Sequence, residues 1–247
     1  MEIDRLTIRE PPEGSPLGYQ IWDKLLFMHW AVPEELLRPL IPDRLAIDTF
    51  DGGAWIGVTP FSMPSIRPAL LPSVPLEAST LELNVRTYVH FEGVPGVWFF
   101  SLDASNVMAV IGARVGFALP YFHARMEMED RDRDIRFESR RFHPGAEPAR
   151  FAAHWTRGDA LPDAEPGSLE FFLIERYCLY AIRSGRLYRA RIHHTPWPLL
   201  QVELHSFSST MIESHGLPTP EGDHLLHGQS APLEVGIWPL KKVADGE

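Results

Sequence analysis

Leu81-Glu82-Leu83-Asn84-Val85-Arg86-Thr87-Tyr88-Val89-His90-Phe91 carries the clearest periodicity in this chain. Leu81, Leu83, Val85, Thr87, Val89 and Phe91 share one parity, and Glu82, Asn84, Arg86, Tyr88 and His90 share the other. Alternation by two sends successive side chains to opposite faces of a β-strand. A half-buried strand with a plain wet face would carry Lys, Glu and Thr there. This one carries Glu, Asn, Arg, Tyr and His, groups rich in directional hydrogen bonds, and the Arg guanidinium is a planar fork that suits a carboxylate. Two readings fit that set: a ligand-facing wall centred on Asn84 and Arg86, or a solvated outer face.

Strand signals surround this stretch. Residues 97–102 read as a second strand, and a hairpin is expected over 123–129 and 135–142 across the charged turn 130–134. Further strands are expected over 176–182, 187–194, 201–207 and 233–243, with Ser184-Gly185 as a turn. Asp51-Gly52-Gly53 predicts a hairpin joining 45–50 to 54–59. Short helices are expected over 32–42, opened by Pro33 with Glu34 and Glu35 at the positive end of the dipole, over 103–110, capped by Asp103 or Ser105, and over 168–173. Segment 61–75, rich in Pro and Ser, reads as a surface loop, and 143–167, rich in Pro, Ala and Gly, as irregular. Many strands and few helices predict a mainly β chain, an antiparallel barrel or curved sheet forming a single domain over 1–247.

Composition narrows the function classes. The net charge is −10, without the basic footprint of nucleic-acid binding or attraction to an anionic membrane. No stretch approaches the roughly 18 apolar residues of a membrane span. Cys178 is the single cysteine, so no internal disulfide forms, and residues 1–12 lack the apolar core of a secretory signal; both fit a cytoplasmic protein. Lysine occurs only at Lys24, Lys241 and Lys242, which leaves 25–240 without an amine nucleophile.

Familiar catalytic signatures are absent: no phosphate-binding loop, no dinucleotide glycine fingerprint and no nucleophile elbow, with Gly228-Gln229-Ser230-Ala231-Pro232 failing at its last position. Eleven histidines give no convergent ligand set. His193 and His194 are adjacent and point apart on a strand, and His224 and His227 sit in a Gly/Pro context. No metal site and no cofactor are expected. Cys178 reads as a core residue. Glu175-Arg176-Tyr177 and His193-His194-Thr195-Pro196-Trp197 form a second polar and aromatic group, which serves equally as pocket wall or satisfied core.

Leu81 to Val89, Phe99-Phe100-Ser101-Leu102-Asp103-Ala104, Leu119-Pro120-Tyr121, Glu175-Arg176-Tyr177, Ile192-His193-His194 and Pro196-Trp197-Pro198-Leu199 together resemble the YqjF-like family of uncharacterised bacterial proteins. Trp55-Ile56-Gly57-Val58 with Pro60-Phe61 also fits that pattern. The family is similar to the acetoacetate-decarboxylase superfamily. That resemblance implies a curved antiparallel sheet closed into a cone or barrel around a cavity, with a few short helices. Enzymes of that superfamily use a lysine as Schiff-base nucleophile, its amine made reactive by desolvation and a cationic neighbour. Here Gly116-Phe117-Ala118-Leu119-Pro120-Tyr121-Phe122 is the nearest match to the lysine-bearing segment, and Tyr121 and Phe122 stand where lysines are expected. A phenol forms no imine, so Schiff-base decarboxylation is not expected.

Two functional readings follow. In the first, an internal pocket takes a small anionic or carbonyl-containing molecule. Arg86 and Arg114 hold it, Asn84, Tyr121 and His193 orient it, Arg176 and Trp197 complete the wall, and proton transfer falls to Glu175, His193 or Tyr121. In the second, the chain is a non-catalytic binding or interaction protein whose polar cluster is an internally satisfied network. Whether it is an enzyme, and its oligomeric state, stay open at this point.

Overall fold

The computed structural model describes residues 3–69, 74–220, 222 and 224–243, with backbone alone for 74–79. Its strands are β1 (Gly18–Asp23), β2 (Leu26–Val32), β3 (Ala46–Ile47), β4 (Ala54–Pro68), β5 (Val74–Phe91), β6 (Val94–Ala104), β7 (Tyr121–Arg131), β8 (Asp134–Arg141) and β9 (Arg150–Ala160). They continue with β10 (Cys178–Arg183), β11 (Arg186–His193), β12 (Leu199–Ser209), β13 (Leu225–Gln229), β14 (Leu233–Ile237) and β15 (Lys241–Lys242). The α-helices are α1 (Glu34–Leu37), α2 (Val107–Phe117) and α3 (Leu169–Ile174).

Twelve strands close a ring in the order β1, β14, β11, β10, β6, β7, β8, β9, β12, β13, β2, β4, and β4 pairs back to β1. Inside it β5 pairs with both β4 and β6 and so divides the ring. One side is a seven-strand loop (β1, β14, β11, β10, β6, β5, β4), and the other a nine-strand loop (β6, β7, β8, β9, β12, β13, β2, β4, β5). Pairing is antiparallel except where β6 meets β7 and β10. The parallel β6–β7 step needs a crossover, which α2 supplies.

The position of β5 explains its alternation. Leu83, Val85 and Val89 join the larger core with Met28, Val58, Phe137 and Trp155. Glu82 and Asn84, on the opposite parity, are only 3% and 7% exposed. Both faces are therefore covered, and the solvated-face reading of this strand fails. A strand at the edge of a two-layer protein meets water; a strand that partitions a ring does not.

Other expectations also change. Segment 61–75 is mostly strand: β4 runs on to Pro68, with Pro64 at a register irregularity between Met63 and Ser65, where a missing N–H costs no ladder bond. Residues 70–73 of that segment lie outside the described residues. The hairpin expected at Asp51-Gly52-Gly53 reduces to one bridge between Phe50 and Gly53, and β3 pairs with β5 instead. Segment 143–167 contains β9, whose Phe151, Ala153 and Trp155 point into the core. The second helix begins late because Asn106, not Asp103 or Ser105, caps it: its side chain accepts from the N–H groups of Met108 and Ala109. The final strand breaks at Trp238-Pro239 into β14 and β15.

Ring closure depends on a close approach. A Cβ on Gly18 would lie 2.6 Å from the Arg67 carbonyl oxygen, where β1 joins β4. Backbone cannot yield as a side chain does. Gly18→Ala is expected to lower stability by roughly 1–3 kcal/mol in denaturant unfolding; an unchanged midpoint would show that β1 shifts freely against β4.

Candidate functional site

The seven-strand loop encloses a cavity of about 290 Å³. Its wall is built on β5, because Glu82, Asn84 and Arg86 follow one another on one face of that strand at spacings of about 7 Å. Phe61, Met63, Val97, Phe99 and Ile174 supply apolar lining, and Gln20, Trp22 and Thr59 add to it from β1 and β4. Ala109, Gly112 and Ala113 of α2 form one side, small residues that let the helix sit close. The opposite face of α2, with Val107, Met108, Ile111 and Val115, is exposed.

The polar groups are graded along β5. At one end Tyr121 Oη donates to Glu82 Oε2 at 3.0 Å. Burial pushes the Glu82 carboxyl up to about 8, against the pull of its hydrogen bonds with Tyr121 and Asn84, and the Asp103 charge adds to the rise. Glu82 is therefore largely protonated at neutral pH. Burial and the neighbouring Glu82 hold the Tyr121 phenol well above its usual range.

At the other end are two guanidinium groups. Arg176 is fixed by Asp48 Oδ2 at 2.6 Å from Nη1 and by the Phe172 carbonyl at 2.6 Å from Nε. Asp48 is shared with Arg5, at 2.7 and 2.8 Å, so one carboxylate faces two cations. Arg86 stacks over the rings of Phe27 and Tyr88, at 5.5 and 5.8 Å. Its Nη2 donates to the Leu173 carbonyl at 3.4 Å, and among the described residues no carboxylate pairs with it. Five buried polar atoms of cavity-lining residues lack a partner: Arg86 Nε, Arg176 Nη2, Trp197 Nε1, Asn84 Oδ1 and Thr59 Oγ1. Buried polar groups are normally satisfied, so this concentration in one cavity calls for a cause.

Of the residues singled out in the sequence, Asn84, Arg86, Tyr121, Arg176 and Trp197 meet at this cavity. Arg114 does not. It lies in the last turn of α2, exposed, and donates to the Tyr121 carbonyl at 2.8 Å. His193 also lies outside, with Nδ1 3.0 Å from the Arg9 carbonyl. Glu175 is buried, but its oxygens serve the fold: Oε1 accepts from the Trp197 N–H at 3.1 Å and Oε2 from the Tyr177 hydroxyl. It anchors the segment that presents Trp197. Glu82 is the residue that sequence reasoning passed over, although it shares the parity of Asn84 and Arg86. Cys178 lines the cavity, yet burial pushes its thiol up to about 12, which suits a core thiol and not a nucleophile. No lysine contributes to the lining; Lys24 pairs with Asp130 at 2.8 Å, and Lys241 and Lys242 are exposed on β15.

A family model for an uncharacterized conserved protein, DUF2071, matches residues 19–231. The uncharacterized protein YqjF of Bacillus subtilis (strain 168) is 41% identical over 231 residues, covering 94% of each chain. Among solved structures, the chain is similar to acetoacetate decarboxylase from Legionella pneumophila, with a TM-score of 0.60, 12% identity and coverage of 95% of this chain and 92% of that one. The enduracididine biosynthesis enzyme MppR complexed with pyruvate gives a TM-score of 0.60 at 12% identity, over 96% of this chain and 94% of that one. At such identities the likeness is one of fold.

Proposed function

We propose a function for this chain, which belongs to the DUF2071 family of uncharacterized conserved proteins: it binds a small organic acid, a carboxylate with a carbonyl group, inside the seven-strand loop. The observation that carries this reading is Arg86, a part-buried guanidinium with no carboxylate partner among the described residues, beside the unpartnered Nη2 of Arg176. A guanidinium whose Nε is buried without a partner carries a desolvation cost, and a ligand carboxylate would offset that cost with charge-assisted bonds. The neighbour complexed with pyruvate holds an acid of that chemistry on a similar fold. A cavity of about 290 Å³ fits a small metabolite and not a lipid chain.

Glu82 and Tyr121 face the far end of such a ligand. A carboxyl that is neutral at pH 7 donates a hydrogen bond, or a proton, to a carbonyl oxygen. Asn84 lies between the two ends and orients the ligand through its free Oδ1. With no lysine at the cavity, imine-based decarboxylation lacks its nucleophile, and the groups that are present, Glu82 and Tyr121, are suited to proton transfer. The alternative is a non-catalytic protein whose polar cluster is structural, and the way Asp48 and Phe172 fix Arg176 favours it for that one residue.

A thermal-shift screen against small carboxylic and keto acids separates the two. A ligand at 100 times its dissociation constant adds about 2.7 kcal/mol, which raises the midpoint by roughly 5–10 °C for a chain of this size. The expected result is a hit lost in Arg86→Ala while that variant stays folded. No hit across the panel, with Arg86→Ala strongly destabilised, would assign the cluster to structure.

A further inference from the structure

On the outer face of the nine-strand loop, β8, β9 and β12 lie side by side, and none of the three contributes a residue to the cavity lining. Trp155 of β9 is buried, so its neighbours His154 and Thr156 face outward. Asp134 of β8 pairs in register with Thr156, and Glu203 of β12 pairs with Thr156 from the other side. The register of β12 against β9 then shifts between Leu204 and Ser206, leaving His205 as the extra residue. Bulges re-aim side chains, and this one sets His205 beside His154, with ring centroids 4.7 Å apart.

Ligand atoms of Asp134, His154 and His205 all lie within 4.8 Å of one another. His154 Nε2 is 2.7 Å from Asp134 Oδ1, and the Thr156 hydroxyl is 2.7 Å from His205 Nε2 and 3.4 Å from Asp134 Oδ1. Glu203 Oε1 lies 3.8 Å from His205 Nδ1. We propose that Asp134, His154 and His205 form a surface site for a divalent transition metal of the zinc type. Two imidazoles and a carboxylate are the donor set that borderline cations of that type prefer over calcium or magnesium. Donors on a tetrahedral zinc stand roughly 3.3 Å apart, given bond lengths of about 2.0 Å, so small side-chain rotations close the site. Glu203 or water takes the fourth position. Thr156 bonds to a ring nitrogen of His205 and so helps to orient that ligand.

Such an ion ties three strands where the β9–β12 ladder is twice irregular, at Leu200/Val202 and at Leu204/Ser206. Its role is to staple the sheet, independent of the cavity. Neither His193 and His194 nor His224 and His227 takes part, and the three ligands come from separate strands, so no local spacing in the sequence announces them.

The test is calorimetric titration of zinc chloride into the chain, produced without a histidine tag and stripped with a chelator. One zinc per chain is expected. His154→Ala and His205→Ala should each weaken binding at least tenfold, as should Asp134→Asn, which keeps a hydrogen-bonding group beside His154. His224→Gln should bind as the parent does. Saturating zinc should raise the unfolding midpoint of the parent and leave that of His205→Ala unmoved. No saturable binding, or equal affinity in parent, His205→Ala and Asp134→Asn, would overturn the proposal.

Discussion

Arg141→Ala should lower stability by about 3–5 kcal/mol, more than any other single substitution argued for this chain. Arg141 on β8 reaches Asp103 on β6 with three contacts, Nε to both oxygens at 3.0 and 2.9 Å and Nη2 to Oδ1 at 2.7 Å. Nη2 also donates to Ser101 Oγ at 2.8 Å, and His215 Nε2 lies 3.0 Å from that same hydroxyl. Neither side chain of the ion pair is more than 2% exposed. Removing the guanidinium strands a buried carboxylate, and removing the carboxylate by Asp103→Ala strands the buried cation. Replacing both, as in Asp103→Leu with Arg141→Met, should cost less than either single change, because the buried charge goes with its partner. Urea unfolding of the four proteins gives the coupling energy directly. A loss under 1 kcal/mol for Arg141→Ala would show that water enters this part of the nine-strand loop.

Glu82→Gln should remove a pH dependence of stability worth roughly 3–5 kcal/mol between about pH 4.5 and 8. The folded chain holds the Glu82 proton up to about 8, while the unfolded chain releases it near the usual value of 4.5. Between those limits the folded state binds more protons. The contribution of this carboxyl is thus fully present below pH 4.5 and fades as pH rises through 8. Glutamine imitates the protonated acid at every pH. The variant and parent should be closely matched near pH 4.5, and the variant should be the more stable at pH 9. Acid binding, if the cavity takes a carboxylate beside Arg86, should weaken in the parent above pH 8, as a second negative charge develops, and stay level in Glu82→Gln. Parallel stability curves for parent and variant across pH 5–9 would place the Glu82 carboxyl in contact with water.

Part of the site was legible because β5 writes its two faces into its alternation. Asn84 and Arg86 stood out on that basis, and Glu82 was legible by the same parity. Arg176, Tyr121 and Trp197 were named from local groupings and from the family resemblance, and the topology brings them to the same cavity. Arg114 and His193 were equally polar in sequence, yet one faces outward from a helix and the other meets a backbone carbonyl. Glu175 carried the right chemistry for a base and is spent on holding Trp197 and Tyr177. Nothing local distinguishes a carboxylate that anchors a segment from one that faces a cavity.

The sequence by itself determined that the chain is mainly β, that β5 has one apolar and one polar face, and that no amine lies between Lys24 and Lys241. These are properties of composition and of neighbours two residues apart, which backbone geometry converts directly into faces. Only the tertiary structure decided that both faces of β5 are buried, that Pro-rich 61–68 is strand, and that Asp134, His154 and His205 meet on one surface. Those outcomes depend on which strands become neighbours across the closed ring. That choice is made by long-range pairing, and it leaves no mark within the span of a single strand.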